Sequence, residues 1–201
     1  MKKLNFLVFF LLFFSFSFSQ NANEKLKNAR MGLYVSPAIN LLKSDSENLE
    51  TKNKIGVMYG YALEIALNET HKLESGFAIS YKGGRTKNQD SIETDYKIQY
   101  VTIPIFIRMR SREMFQLNWF ARIGPSIHFK IKEMITSSLD VKANAAIVDL
   151  SIFLGAEYSL GGKTSVEASL FFNNNITNAI ADSEDTQTLF HQLGLRLGFF
   201  F

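Results

Sequence analysis

No cysteine occurs among the 201 residues, which excludes disulfide staples, a CxxC redox pair, a thiolate metal site and the lipidated cysteine of a lipobox. Proline is nearly absent, with only Pro37, Pro104 and Pro125. A dominant charge is missing too. The chain has 22 basic and 19 acidic residues, or 20 against 19 without Lys2 and Lys3. That balance gives no argument for nucleic acid, whose footprint is a clustered cationic face. Beyond the N-terminus no apolar run approaches the roughly 20 residues that a membrane helix needs. At 46% apolar and 20% charged residues, the chain is neither a disordered tail nor a collagenous repeat.

The N-terminus reads as an address. Met1-Lys2-Lys3 is a positive segment, Leu4 to Phe14 is apolar apart from Asn5, and Ser17-Phe18-Ser19 precedes Gln20. This is the layout of a secretory signal peptide, residues 1–19, cleaved ahead of one domain of residues 20–201. The rival, an N-terminal anchor, fails on length, since the unbroken apolar run is only Phe6–Phe14.

The period of the remaining chain is two. Ile55, Val57, Tyr59, Tyr61, Leu63, Ile65 and Leu67 alternate with Gly56, Met58, Gly60, Ala62, Glu64 and Ala66. Successive strand side chains point to opposite faces, so this segment has one greasy face and one small or polar face. Similar alternation from Leu33, Leu73, Val101, Leu117, Val148, Val166 and Leu193 onward predicts about eight strands. In a soluble, lipocalin-like barrel the greasy face would turn inward, and the other would carry frequent charges toward water. Here the other face is rich in Gly, Ala and Ser, with charges spaced singly. The pattern therefore predicts an all-β fold, an eight-stranded antiparallel up-and-down transmembrane barrel of the outer-membrane type.

The connections alternate in length. Asn68–Lys72, Arg110–Gln116 and Leu160–Lys163 are short, whereas Lys43–Lys54, Lys82–Asp95, Lys132–Ala145 and Asn174–Thr188 are long and polar. This predicts tight periplasmic turns, extended external loops and both chain ends on the periplasmic side. Proline removes a ladder bond, so bulges or locally unpaired positions are expected at Pro37, Pro104 and Pro125. Gly83-Gly84 and Gly161-Gly162 read as turns.

Seven charged residues share the small face. Glu64 and Glu74 flank the first short turn, Arg108 and Arg122 the second, Glu157 and Glu167 the third, and Arg196 lies on the last strand. They predict an ion girdle inside the barrel, paired as Glu74–Arg108, Arg122–Glu157 and Glu167–Arg196. Unpaired charges in a dry interior are costly. An eight-stranded barrel is just filled by its side chains, so no open pore is expected.

The run Tyr100-Val101-Thr102-Ile103-Pro104-Ile105-Phe106-Ile107-Arg108 resembles the Tyr-Leu-x-Ile-Pro-Leu-Leu-Leu-Lys strand of the PorT-type outer-membrane β-barrel family of Bacteroidetes. Gly124-Pro125-Ser126 and Leu193-Gly194-Leu195-Arg196-Leu197-Gly198-Phe199 are similar to that family's later strands. The resemblance implies a small integral outer-membrane barrel in contact with outer-membrane lipid. The family's named member is implicated in a secretion system that exports proteins across the outer membrane. Phe201 fits the aromatic-ended last strand through which such barrels are recognised by the barrel-assembly machinery.

Catalytic and metal chemistry is sparse. His71, His128 and His191 form no close ligand cluster. Ser126 and His128 share the small face near the external end, and Asp149 lies on a neighbouring strand. The three suggest a rim-site lipid-modifying enzyme, though Ser, His and Asp meet easily by accident. The acidic run Asp182–Asp185 reads as a solvated loop or a weak cation site. No cofactor is implied. The leading expectation is a non-enzymatic structural or accessory barrel, whose external loops or periplasmic turns bind envelope proteins. The alternatives are a secretion-system component, the rim enzyme and a soluble barrel.

Overall fold

The computed structural model describes residues 29–44, 49–88, 93–136, 142–181 and 188–201. The expected signal peptide and the run Asp182–Asp185 lie outside the described residues.

The period-two segments become strands: β1 (Ala29–Ser44), β2 (Leu49–Ala66), β3 (His71–Asn88), β4 (Glu93–Arg110), β5 (Leu117–Thr136), β6 (Lys142–Ala143), β7 (Ala146–Gly161), β8 (Thr164–Asn175), β9 (Ile180–Ala181) and β10 (Thr188–Phe200). Eight of them close into an antiparallel barrel in the order β1-β10-β8-β7-β5-β4-β3-β2, and β6 pairs only with β9. The seam is double-bonded at its short-turn end, where Met31 N donates to Phe201 O at 3.0 Å and Phe201 N donates to Met31 O at 2.8 Å. Closure leaves no free edge, which allows such a sheet to sit in hydrocarbon.

The alternation settles which face is which. Leu33, Ile55, Leu154 and Leu170 are exposed on the outer wall, while Ser36, Ala62, Ala78 and Ser151 are buried in the lumen. A greasy exterior around a small, polar and ionised interior is the transmembrane arrangement.

Three expectations are corrected. Two of the long polar connections, Lys43–Lys54 and Lys82–Asp95, are largely strand, because β1 runs to Ser44, β2 begins at Leu49, β3 runs to Asn88 and β4 begins at Glu93. Above the apolar band both faces are polar: Arg85, Asp95 and Lys97 point outward while Thr86 and Thr94 are buried inward. Alternation of hydrophobicity vanishes there although the strand continues. Second, of the bulges or locally unpaired positions expected at the prolines, the unpaired positions occur and the bulges do not, since no register shift sits at a proline. Pairing of β1 with β10 lapses at Ser36–Pro37 and resumes in the same register. The shifts occur between Asn53 and Val57, between Gln99 and Tyr100, and between Ser159 and Gly161. Around Pro104 the wall is held differently, with Ser75 Oγ donating to Pro104 O at 2.9 Å. Third, Gly83-Gly84 lies within β3, whereas Gly161-Gly162 does form a turn, at φ 111° and 61°.

The rim opposite the short turns is lopsided. A strand of 18 residues, as in β2, β3 and β4, rises about 45 Å when tilted by about 40°. That exceeds an apolar band of about 25 Å. On the other flank β7 starts at Ala146, opposite Phe129, and β5 continues to Thr136 without it.

Candidate functional site

The distinctive chemistry lies in the lumen, which is filled in storeys. At the short-turn end, register sets like charges side by side: Glu64 opposite Glu74, Arg108 opposite Arg122, and Glu157 opposite Glu167. Each hairpin is thus self-repelling, and relief comes from across the lumen. All seven residues of the expected girdle, Arg196 among them, are buried.

Their partners differ from simple neighbour pairing. In a lower tier Arg108 meets Glu64 and Glu157, the latter at 2.5 Å. In an upper tier Arg122 meets Glu74 at 2.8 Å and Arg196 meets Glu74 at 2.9 Å. Glu167 links the tiers, at 3.0 Å from Arg108, 2.9 Å from Arg122 and 3.3 Å from Arg196. Arg196–Glu167 is the one contact anticipated. Arg122–Glu157 does not form, because strand stagger places Glu157 opposite Asn118 and Phe153 opposite Arg122. Arg108–Glu74 does not form either; Phe106 stands opposite Glu74 and Lys72 opposite Arg108.

Two members escaped sequence reading. Arg30 lies 2.5 Å from both Glu64 and Glu157, and Lys72 lies 3.1 Å from Glu64. Their even-numbered parity with Tyr34–Asn40 and Glu74–Ser80 was the available signal. Five cations thereby meet four carboxylates. Aromatic rings help to hold the guanidinium groups, Arg108 at 3.9 Å from the Phe120 centroid and Arg196 at 3.7 Å from that of Tyr34.

Above the girdle, Phe106, Phe153 and Phe171 pack with Ala38 across the lumen, with ring centroids 5.2 and 5.3 Å apart. Next comes a buried polar layer in which Gln192 Nε2 donates to Asn40 Oδ1 at 2.6 Å. Higher still, Asp149 Oδ2 lies 2.5 Å from Lys82 Nζ and 2.9 Å from His128 Nε2. Thr102 Oγ1 lies 2.8 Å from His128 Nδ1. At the end opposite the short turns, Leu42, Tyr96, Ile98, Tyr100, Ile147 and Phe190 form a buried apolar cap, with Ala143 of β6 and Ala179 just before β9.

This geometry revises the rim-site expectation. His128 and Asp149 do meet, but Ser126 Oγ lies 3.4 Å from Ser151 Oγ, and both His128 nitrogens are engaged by Asp149 and Thr102. A triad needs the serine hydroxyl on the histidine. All three residues are buried beneath the apolar cap instead of lining a rim, and Lys82 completes the cluster as an ion-pair partner that the sequence reading left in a loop. Among the described residues no group of three or more His, Asp or Glu side chains is placed to hold a metal.

Several solved structures share the architecture. The outer membrane protein OprG from Pseudomonas aeruginosa superposes with a TM-score of 0.59 at 12% identity, over 86% of this chain and 94% of that one. Neisserial surface protein A gives 0.46 at 13% identity, over 84% and 95% of the two chains. Ail, the attachment invasion locus protein of Yersinia pestis, gives 0.39 at 16% identity, over 87% and 99%. At 12% identity the likeness to OprG speaks to the fold alone. No curated protein matches the chain. The sequence model of the outer membrane protein beta-barrel domain matches residues 18–185, and with the closed eight-stranded barrel around a polar lumen it places this chain in that family, among the integral proteins of the outer membrane.

Proposed function

We propose that the protein is a sealed, non-catalytic accessory barrel that engages other envelope proteins through its raised external wall and its periplasmic turns. The observation that supports this reading is occlusion at successive levels: the two-tier ion network, the Phe106–Phe153–Phe171 layer and the apolar cap. The reading includes export by residues 1–19 and insertion by the barrel-assembly machinery through the aromatic end of β10. Purified protein in planar bilayers is expected to give no stable conductance step. A reproducible open-channel current would overturn the sealed lumen. His128→Ala is expected to leave lipid A and phospholipid profiles unchanged, and altered lipids would revive the enzyme reading.

A second reading, a secretion-system component, draws on the PorT-like Ile103-Pro104 strand. It also draws on the turn at Phe115, which is 98% exposed and held with Gln116 in the left-handed region at φ 52° and 68°. A bulky apolar residue held there is strained, and such strain collects at contact sites. Cross-linking in intact envelopes separates the two readings. Partners captured through Phe115 that belong to an export apparatus favour the second.

A further inference from the structure

The outer wall carries a cationic hollow where its apolar band ends. Register aligns Tyr59, Ile79, Val101 and Phe129 in one outward row across β2 to β5. The next row outward is Val57, Tyr81, Gln99 and Lys132, and the one beyond it sets Gly83 beside Lys97 and Lys97 beside Met134. Tyr59 stacks on Tyr81 with centroids 6.2 Å apart, and Gln99 Nε2 donates to the Tyr81 hydroxyl at 3.1 Å. Aromatic side chains with a polar tip at this level mark the boundary between hydrocarbon and headgroups.

At that boundary Gly83 has no side chain, and a hollow of about 380 Å³ opens between Ile55, Tyr81 and Met134. Four lysines border it, of which Lys82 is buried on the lumen side and paired with Asp149. Lys54 is ion-paired with Asp95, and Arg85 lies 3.4 Å from Glu93, so the nearby carboxylates are already engaged. Lys97 and Lys132 are exposed, and among the described residues neither has an acidic partner. Ile55 is 86% exposed beside them. The ammonium groups thus offer point charges to an anion, and the apolar walls beneath offer a surface to hydrocarbon. A soluble acidic protein would have to dip into the headgroup layer to reach both.

We infer that this hollow is a headgroup site for a phosphate-bearing glycolipid of the outer leaflet, with Lys97 and Lys132 on the phosphate and Ile55, Tyr81 and Met134 against the lipid body. The inference rests on the orientation that turns the short connections toward the periplasm. The test is native mass spectrometry of the folded full barrel released from neutral detergent, with bisphosphorylated lipid A, dephosphorylated lipid A, phosphatidylglycerol or inorganic phosphate added in turn. Retention of the bisphosphorylated form is expected, with occupancy reduced at least tenfold in the Lys97→Ala/Lys132→Ala variant and restored by Lys97→Arg/Lys132→Arg. Lys52→Ala, on the same wall but outside the hollow, is expected to bind as the parent does. Both lysines are solvent-exposed and remote from the lumen, so folding is checked simply by heat-modifiable migration. Equal retention of the dephosphorylated lipid, of phosphatidylglycerol or of phosphate alone overturns the inference, as does unchanged binding by the double alanine variant.

Discussion

Among single residues, position relative to the lumen decides what a charge is worth. Arg108 is buried and touches three carboxylates. Replacing it with Met leaves Glu64, Glu157 and Glu167 short of a cation in a dry interior. A loss of about 3–5 kcal/mol is expected, read as a lower denaturant midpoint for the detergent-folded protein. Arg85→Ala removes an exposed pair with Glu93 and is expected to change the midpoint by no more than about 1 kcal/mol. Comparable losses in both variants would mean that the girdle is wet. Which residues enter the lumen was largely legible from parity along each strand. Their partners were not, because stagger between strands decides height, and alternation within a strand carries no record of it. Glu157 looked level with Arg122 when residues were counted from the turns, yet it sits opposite Asn118. Lys82 was missed for another reason: it lies where the outward face turns polar, so its segment resembled a loop.

For the strands, close packing replaces charge as the constraint. Where β10 crosses β1, a Cβ on Gly194 would lie 2.4 Å from Pro37 O, 2.7 Å from Phe171 Cζ and 2.8 Å from Ala38 Cβ. Gly194→Val is therefore expected to destabilise by at least about 2 kcal/mol, or to abolish the compact, heat-modifiable species on gels. Wild-type behaviour would show that the seam is looser than its register implies. The tight turn Met114–Leu117 makes a gentler test. Gln116 holds a left-handed conformation there, so Gln116→Gly is expected to stabilise the hairpin by up to about 1 kcal/mol. The strands themselves were legible within the apolar band. Their outer extensions were not, since period-two hydrophobicity requires lipid on one side, and β3 and β4 rise above it.

Taken whole, the molecule joins its two ends to its middle through salt bridges. Arg30 on β1 reaches Glu157 on β7, and Arg196 on β10 reaches Glu74 on β3. None of these pairs exists in a flat sheet, because the partners converge only when the sheet curls fully round. A nascent barrel missing its final strand would therefore carry naked carboxylates and guanidinium groups that hydrocarbon will not accept. Insertion and neutralisation are thus one event. Chains truncated before Thr188 should stall in the periplasm as protease-sensitive intermediates, while the intact chain zips shut in a single cooperative step.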